Sequence, residues 1–178
     1  MPKRVIVLDT SAFFMGYDPL SIGEEQFTTQ SLIDELSYET AASLRFKIAI
    51  ETGKIKLRIP SHKSLREIEE ASSKLGDFSS LSEVDKEVLA LALELKESGF
   101  SPVLVSDDYA VQNVADQLGL EYASLSTFGI RYRFQWILYC PACHRRFPPT
   151  PPLKACNVCG TLLKRRVLRK IPTRRKSL

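Results

Sequence analysis

The chain has 178 residues, 44% of them hydrophobic, and carries 25 Lys and Arg against 21 Asp and Glu. That length suits one ordinary domain with a small appendage, and that apolar content supports a packed core. The first apolar stretch, Val5 to Leu8, is too short for a signal peptide, and no apolar run approaches the ~20 residues of a membrane span, so a soluble, cytoplasmic protein is expected.

In chain order, Val5-Ile6-Val7-Leu8 is a β-branched run that reads as a buried strand. Residues 28–39 read as a helix with Leu32, Ile33 and Leu36 on one face, and 40–52 as a second helix stopped by Gly53. Residues 55–59 alternate with period two up to Pro60 and predict a strand. Helices follow at 64–74, closing at Gly76, and at 82–98, closing at Gly99. Pro102 to Val105 predicts another buried strand, 109–118 a helix, and 121–124 a last short strand. Strands alternating with helices predict an α/β fold, a parallel sheet covered on both faces. Ligands in such folds sit beyond the carboxyl ends of the strands. That rule draws attention to Asp9 after Leu8, and to Asp107 and Asp108 after Val105.

The charges are unevenly spread. From Tyr122 to Leu178 there are thirteen Lys and Arg and no acid, leaving twelve basic residues against all 21 acidic ones in the rest. A basic arm beside an acidic body points to a polyanionic partner, nucleic acid above all. Residues 130–136 alternate apolar and basic, which predicts an amphipathic strand that docks the arm on the body; Arg131 and Arg133 on it are candidate RNA contacts. Beyond Leu163, the residues Lys164, Arg165, Arg166, Arg169, Lys170, Arg174, Arg175 and Lys176 read as a basic tail. Phosphates would be its natural partners, with salt-sensitive affinity.

Within this arm, Cys140-Pro-Ala-Cys143 and Cys156-Asn-Val-Cys159 form two Cys-x-x-Cys knuckles separated by twelve residues. That spacing suits tetrahedral four-thiolate zinc, and Gly160 allows a left-handed backbone after the last thiolate. Two disulfides or a redox-active pair are the competing readings; a cytoplasmic chain argues against the first, and a redox site would not need two knuckles. With four protein ligands no position is open, so the zinc is structural. His144 reads as an exposed neighbour rather than a ligand. Pro148, Pro149, Pro151 and Pro152 stiffen the intervening loop. The ribbon would form an acid-free platform for Arg145, Arg146 and Lys164.

Each acid of the body has a structural use on its own. Asp9 could cap the next helix, and Glu35 could lie on a solvated helix face. Asp85 follows Ser82 as in a capping box, and Asp107 and Asp108 stand at a helix start, where negative charge is favoured. Together, acids at two strand ends and at facing helix starts can gather four or five carboxylates at one sheet edge. Such a cluster repels itself unless it holds cations, and oxygen ligands suit Mg²⁺ or Mn²⁺. Those ions support phosphodiester hydrolysis. With only His62 and His144 in the chain, metal activation of water suits the composition better than a histidine base.

Asp9 at the end of the first strand, Glu35 in the following helix, Asp85 in Leu81-Ser82-Glu83-Val84-Asp85, and the segment Val105-Ser106-Asp107-Asp108-Tyr109 resemble PIN-domain nucleases over residues 3 to 125. A PIN body joined to a zinc ribbon and a basic tail resembles the Nob family in its compact, archaeal form. The resemblance implies a PIN-like domain over 1–126, a connector over 127–139, a zinc ribbon over 140–163 and a basic tail over 164–178. It implies Asp9, Glu35, Asp85 and the Asp107/Asp108 pair as Mg²⁺ or Mn²⁺ ligands, with a lean to Asp108 as the inner one and Ser11 as a supporting or phosphate contact. The implied activity is an endoribonuclease acting at the mature 3′ end of precursor small-subunit ribosomal RNA in the pre-ribosomal subunit. RNA rather than DNA is the expected substrate; Arg145, Arg146, Lys164, Arg165 and Arg166 would contact it. A toxin-type PIN ribonuclease and a non-catalytic RNA- or ribosome-binding factor are the alternatives.

Overall fold

A computed structural model describes residues 2–36, 40–75, 81–125, 132–148 and 153–172. Gly76, Arg131, Pro149, Pro151, Pro152, Arg174, Arg175 and Lys176 lie outside the described residues.

Five parallel strands form the sheet of the body: β1 (Arg4–Leu8), β2 (Glu25–Thr28), β3 (Ile55–Leu57), β4 (Ser101–Val105) and β5 (Glu121–Ala123), in the order β3-β2-β1-β4-β5. Val5, Val7, Leu8, Val103 and Leu104 are fully or almost fully buried, as strands covered on both faces must be. The covering helices are α1 (Thr10–Phe14), α2 (Gln30–Glu35), α3 (Ala41–Glu51), α4 (His62–Leu75), α5 (Glu83–Glu97) and α6 (Tyr109–Gln117). The most buried of these is α5, with Val88, Leu89, Leu91 and Leu95 at or near zero exposure. Its start is fixed by a capping box between Ser82 and Asp85, a feature typically worth about 1 kcal/mol. Chain order reverses direction across the sheet between β1 and β4, so the crevice beyond their carboxyl ends is the topological switch point.

The predicted helix over 28–39 is corrected. Residues 25–28 form β2, Thr29 caps α2 by accepting from the Leu32 amide, and α2 ends at Glu35. Buried polar side chains disguise this strand. Thr28 donates to the Leu8 carbonyl at 3.0 Å, and Gln26 donates to the Pro19 carbonyl at 2.8 Å and accepts from Tyr17 at 3.0 Å. The predicted strand over 55–59 ends two residues early, at Leu57.

A second, antiparallel sheet has the order β7-β6-β8, with β6 (Tyr132–Tyr139), β7 (Arg146–Phe147) and β8 (Lys164–Pro172). Its β6 lies against α4 and α6 of the body. The expected tail from Lys164 is thus corrected over its first nine residues: it is a strand paired to the connector from Tyr139↔Lys164 to Tyr132↔Pro172. Its charges hid a strand whose pairing partner lies some thirty residues earlier. Among the described residues, no helix is long and apolar enough to cross a membrane.

Candidate active site and metal centre

The carboxyl end of β1 carries Asp9, 2% exposed. Its amide donates to the Val105 carbonyl, extending the β1–β4 ladder one step. Although Asp9 precedes α1, its side chain makes no capping hydrogen bond. Instead Oδ2 accepts from the hydroxyls of Ser11 at 3.0 Å and Ser106 at 2.6 Å. Those hydroxyls in turn accept from the amides of Asp107 at 2.9 Å and Asp108 at 3.1 Å. A serine whose lone pair takes an N–H has its one proton to give, so both protons point at Oδ2 of Asp9 and fix its orientation. Oδ1 is buried without a hydrogen-bond partner. A carboxylate oxygen in that state is costly, and a cation is the chemistry that relieves it.

Asp85 is half-buried. Its carboxylate accepts from the Ser82 amide at 2.8 Å, so the structural role foreseen for it is real. Its pKa is nevertheless raised: burial contributes most, hydrogen bonds from Ser82 oppose it, and the charges of Asp9 and Asp108 push it further up. Three acids from β1, α5 and the β4–α6 junction therefore share one electrostatic neighbourhood. Asp108 is exposed and caps α6, its Oδ1 accepting from the amides of Ala110 at 2.6 Å and Val111 at 3.4 Å. Asp107 accepts from the Ser124 hydroxyl beyond β5. Glu35 is exposed at the last residue of α2. Among the described residues, no three carboxylates bring ligand atoms within 4.8 Å of one another, whereas the four cysteines do. Asp9, Asp85 and Asp108 are thus neighbours rather than a closed cage, and their hard, anionic oxygens fit a divalent cation of the Mg²⁺ class. Sequence reasoning passed over Ser106; its place one step beyond β4, beside Asp9, was the signal.

The two knuckles repeat one geometry. Cys140 and Cys156 donate their amides to Arg145 and Thr161 at 2.9 and 2.8 Å, and accept at their carbonyls from His144 and Gly160, both at 2.9 Å. His144 and Gly160 have φ of +59° and +73°, the left-handed turn that glycine adopts freely and histidine at a cost. Sulfur pairs Cys140–Cys159 and Cys143–Cys156 are 3.3 and 3.6 Å apart. That is too long for a disulfide and close to the roughly 3.8 Å edge of a tetrahedron with 2.3 Å zinc–sulfur bonds. Hydrogen bonding with the side chain and backbone of Thr161, then contact with Cys140, holds the Cys159 thiol down to about 6. At Cys143 a backbone hydrogen bond from Arg145 acts downward, but desolvation and the other three sulfurs push the thiol up to about 11. Four sulfurs this close cannot all ionise unaided, so metal binding would expel protons.

The second sheet sorts its cations by face. Residues directly paired across antiparallel strands share a face. Arg146 and Lys164 therefore join Tyr139, and Arg166 joins Ile137. Ile137, Tyr139, His144, Arg146 and Arg166 line an open groove of about 250 Å³. Arg165 lies on the other face with Leu138, its guanidinium 4.3 Å from the Trp136 ring centre. Arg145 is exposed beside the first knuckle. Arg133 belongs to β6 by its backbone.

A buried strand-end aspartate at the switch point of a five-stranded parallel sheet, with two further acids around it, defines the class. The family described as the PIN domain of ribonuclease matches residues 6–95. An "Endoribonuclease Nob1" of Pyrococcus abyssi is 40% identical over 91% of this chain and 93% of its own length. That of Methanothermobacter thermautotrophicus is 33% identical over 90% and 91%. A "Ribonuclease VapC1" of Thermoplasma acidophilum is 35% identical over 90% of this chain and 77% of its own. The chain belongs to the archaeal Nob1 family of PIN-domain endoribonucleases.

Proposed function

We propose that this endoribonuclease cuts precursor small-subunit ribosomal RNA at its mature 3′ end, during ribosome assembly in the cytoplasm. The observation that carries the catalytic reading is the unpartnered, buried Oδ1 of Asp9, beside Asp85 and Asp108. The substrate reading rests on the resemblance to Nob1 proteins over nine-tenths of the chain and on the acid-free basic ribbon.

Asp9, Asp85 and Asp108 would hold Mg²⁺ or Mn²⁺, and Glu35 would complete the set from α2. A bound divalent cation supplies Lewis-acid activation of water and neutralises charge at the scissile phosphate. The protein contributes fixed geometry. Ser11 and Ser106 keep Asp9 oriented, so its free oxygen needs no reorganisation. The Asp108 carboxylate is held by two helix amides. Asp107 braces the β4 exit against β5. The products are a 3′-hydroxyl on the ribosomal RNA and a 5′-phosphate on the trailer. Cys140, Cys143, Cys156 and Cys159 would hold zinc, which folds the ribbon. Arg146, Lys164 and Arg166 then present one basic face to RNA; Arg131, Arg133, Arg145 and Arg165 are further candidates.

The relatives named VapC keep open a second reading, a toxin-type ribonuclease with other RNA targets. The test of catalysis is Asp9→Asn in a purified-protein assay with Mn²⁺, where cleavage should fall at least about a hundredfold. Undiminished cutting overturns the mechanism.

A further inference from the structure

An acidic edge must still bring a polyanion to itself. Just beyond the last ladder pairs, three strands place a residue in the same transverse row. Val7↔Phe27 and Phe27↔Lys56 are paired in register. Two residues on from each stand Asp9, Thr29 and Arg58. The Arg58 amide donates to the Thr28 carbonyl at 3.0 Å, which carries the β2–β3 ladder to this row, and the Asp9 amide does the same for β1–β4 by donating to Val105; between β1 and β2 the Thr28 hydroxyl donates to the Leu8 carbonyl at 3.0 Å. A two-residue step returns to the same face. Arg58 and Asp9 therefore lie on one face at one height, two strand spacings or roughly 10 Å apart.

The intervening position is occupied. Thr29 is fully buried and its hydroxyl caps α2. Arg58 is exposed, and its guanidinium lies 5.2 Å from the ring centre of buried Phe27, which limits its wandering. Its neighbour on the same face, Lys56, pairs with Glu25 at 2.6 Å, a carboxylate it shares with Lys3. Among the described residues, Arg58 has no carboxylate partner within 4 Å.

We propose that Arg58 is a positioning residue that binds an RNA phosphate beside the scissile one, so that the substrate backbone runs across the strand ends from β3 toward β4. The proposal rests on the nuclease reading above. A planar guanidinium suits a phosphate, and a single-strand contact of this kind has a defined salt signature.

The test uses the full-length protein with a short single-stranded oligoribonucleotide spanning the precursor 3′ end. Arg58→Gln should raise KM about tenfold with kcat within about twofold. It should also reduce the slope of log KM against log salt by roughly 0.7, the share of one single-strand phosphate. Arg58→Lys should restore the slope. Arg58→Gln with the parental slope overturns the proposal; so does Arg58→Lys as impaired as Arg58→Gln, because charge is then not what matters. If the parent protein does not cut this RNA, the substrate reading fails instead. Fluorescence anisotropy of the same oligonucleotide, across salt concentrations, then decides Arg58 by the same slope.

Discussion

The hydroxyl of Ser106 donates a 2.6 Å hydrogen bond to Oδ2 of Asp9, joining positions 97 residues apart in the chain. The same hydroxyl accepts from the Asp108 amide, and the Ser106 carbonyl accepts from Gln112 at 2.7 Å. One buried serine thus sets which Asp9 oxygen is committed and which is free, and ties that choice to the turn bearing Asp108.

Ser106→Ala should therefore lower kcat about tenfold or more and cost about 1–3 kcal/mol of stability, because a buried carboxylate oxygen loses one of its two donors. Ser106→Thr keeps the hydroxyl and should recover most of both. Steady-state kinetics and thermal melts of the two variants check this. Equal kcat in Ser106→Ala and the parent would remove the orienting role.

Asp85 gives a pH dependence with a definite sign. Its folded pKa is raised, chiefly by burial and then by Asp9 and Asp108 against the opposing hydrogen bonds of Ser82. The folded state therefore holds this proton more tightly than the unfolded chain. The associated stability is fully present below the unfolded value near 3.8 and is lost as pH rises through the folded value. Without divalent ions, melts should thus show this contribution decline upward from about pH 4. Mn²⁺ affinity should rise over the same interval, since the cation needs the ionised form. Titration calorimetry at several pH values reads the second effect, and Asp85→Asn should flatten both.

The free oxygen of Asp9 makes opposite predictions for folding and function. Asp9→Asn removes a buried charge from beside two others, so its metal-free melting temperature should equal or exceed the parent's. Its Mn²⁺-induced rise in melting temperature should disappear. A variant that melts well below the parent would mean that Asp9 is held for stability rather than for a cation.

The ribbon should fail separately from the body. Cys156→Ser removes one of four convergent sulfurs. It should abolish stoichiometric zinc in elemental analysis and weaken RNA binding severalfold or more, while the helical signal of the body remains. RNA affinity unchanged by loss of zinc would contradict the platform role.

What the sequence revealed, and what it hid, follows from which signals were local. The α5 start was legible because Ser82, Asp85 and Gly99 mark its ends within one segment. The knuckles were legible because all four sulfurs converge through short turns. By contrast, β2 was hidden because Gln26 and Thr28 face inward and are satisfied by Pro19, Tyr17 and Leu8. The five-residue α1 is too short to show a period. The strand nature of β8 depends on pairing with β6, so its cations read as a tail. At the site, Asp9, Asp85 and Asp108 were legible as strand-end and helix-start acids. The separate partners of the adjacent pair were not, because Asp107 accepts from Ser124, a residue beyond another strand, while Asp108 caps α6.

The most direct test of the whole account is incubation of the purified full-length chain, in Mn²⁺, with precursor small-subunit ribosomal RNA extending past the mature 3′ end, followed by mapping of the cut. The account predicts one dominant cut at the mature 3′ end, leaving a 3′-hydroxyl on the ribosomal RNA and a 5′-phosphate on the trailer, and lost in Asp9→Asn. Cutting confined to transfer or messenger RNA, or a cut that persists in Asp9→Asn, would contradict it.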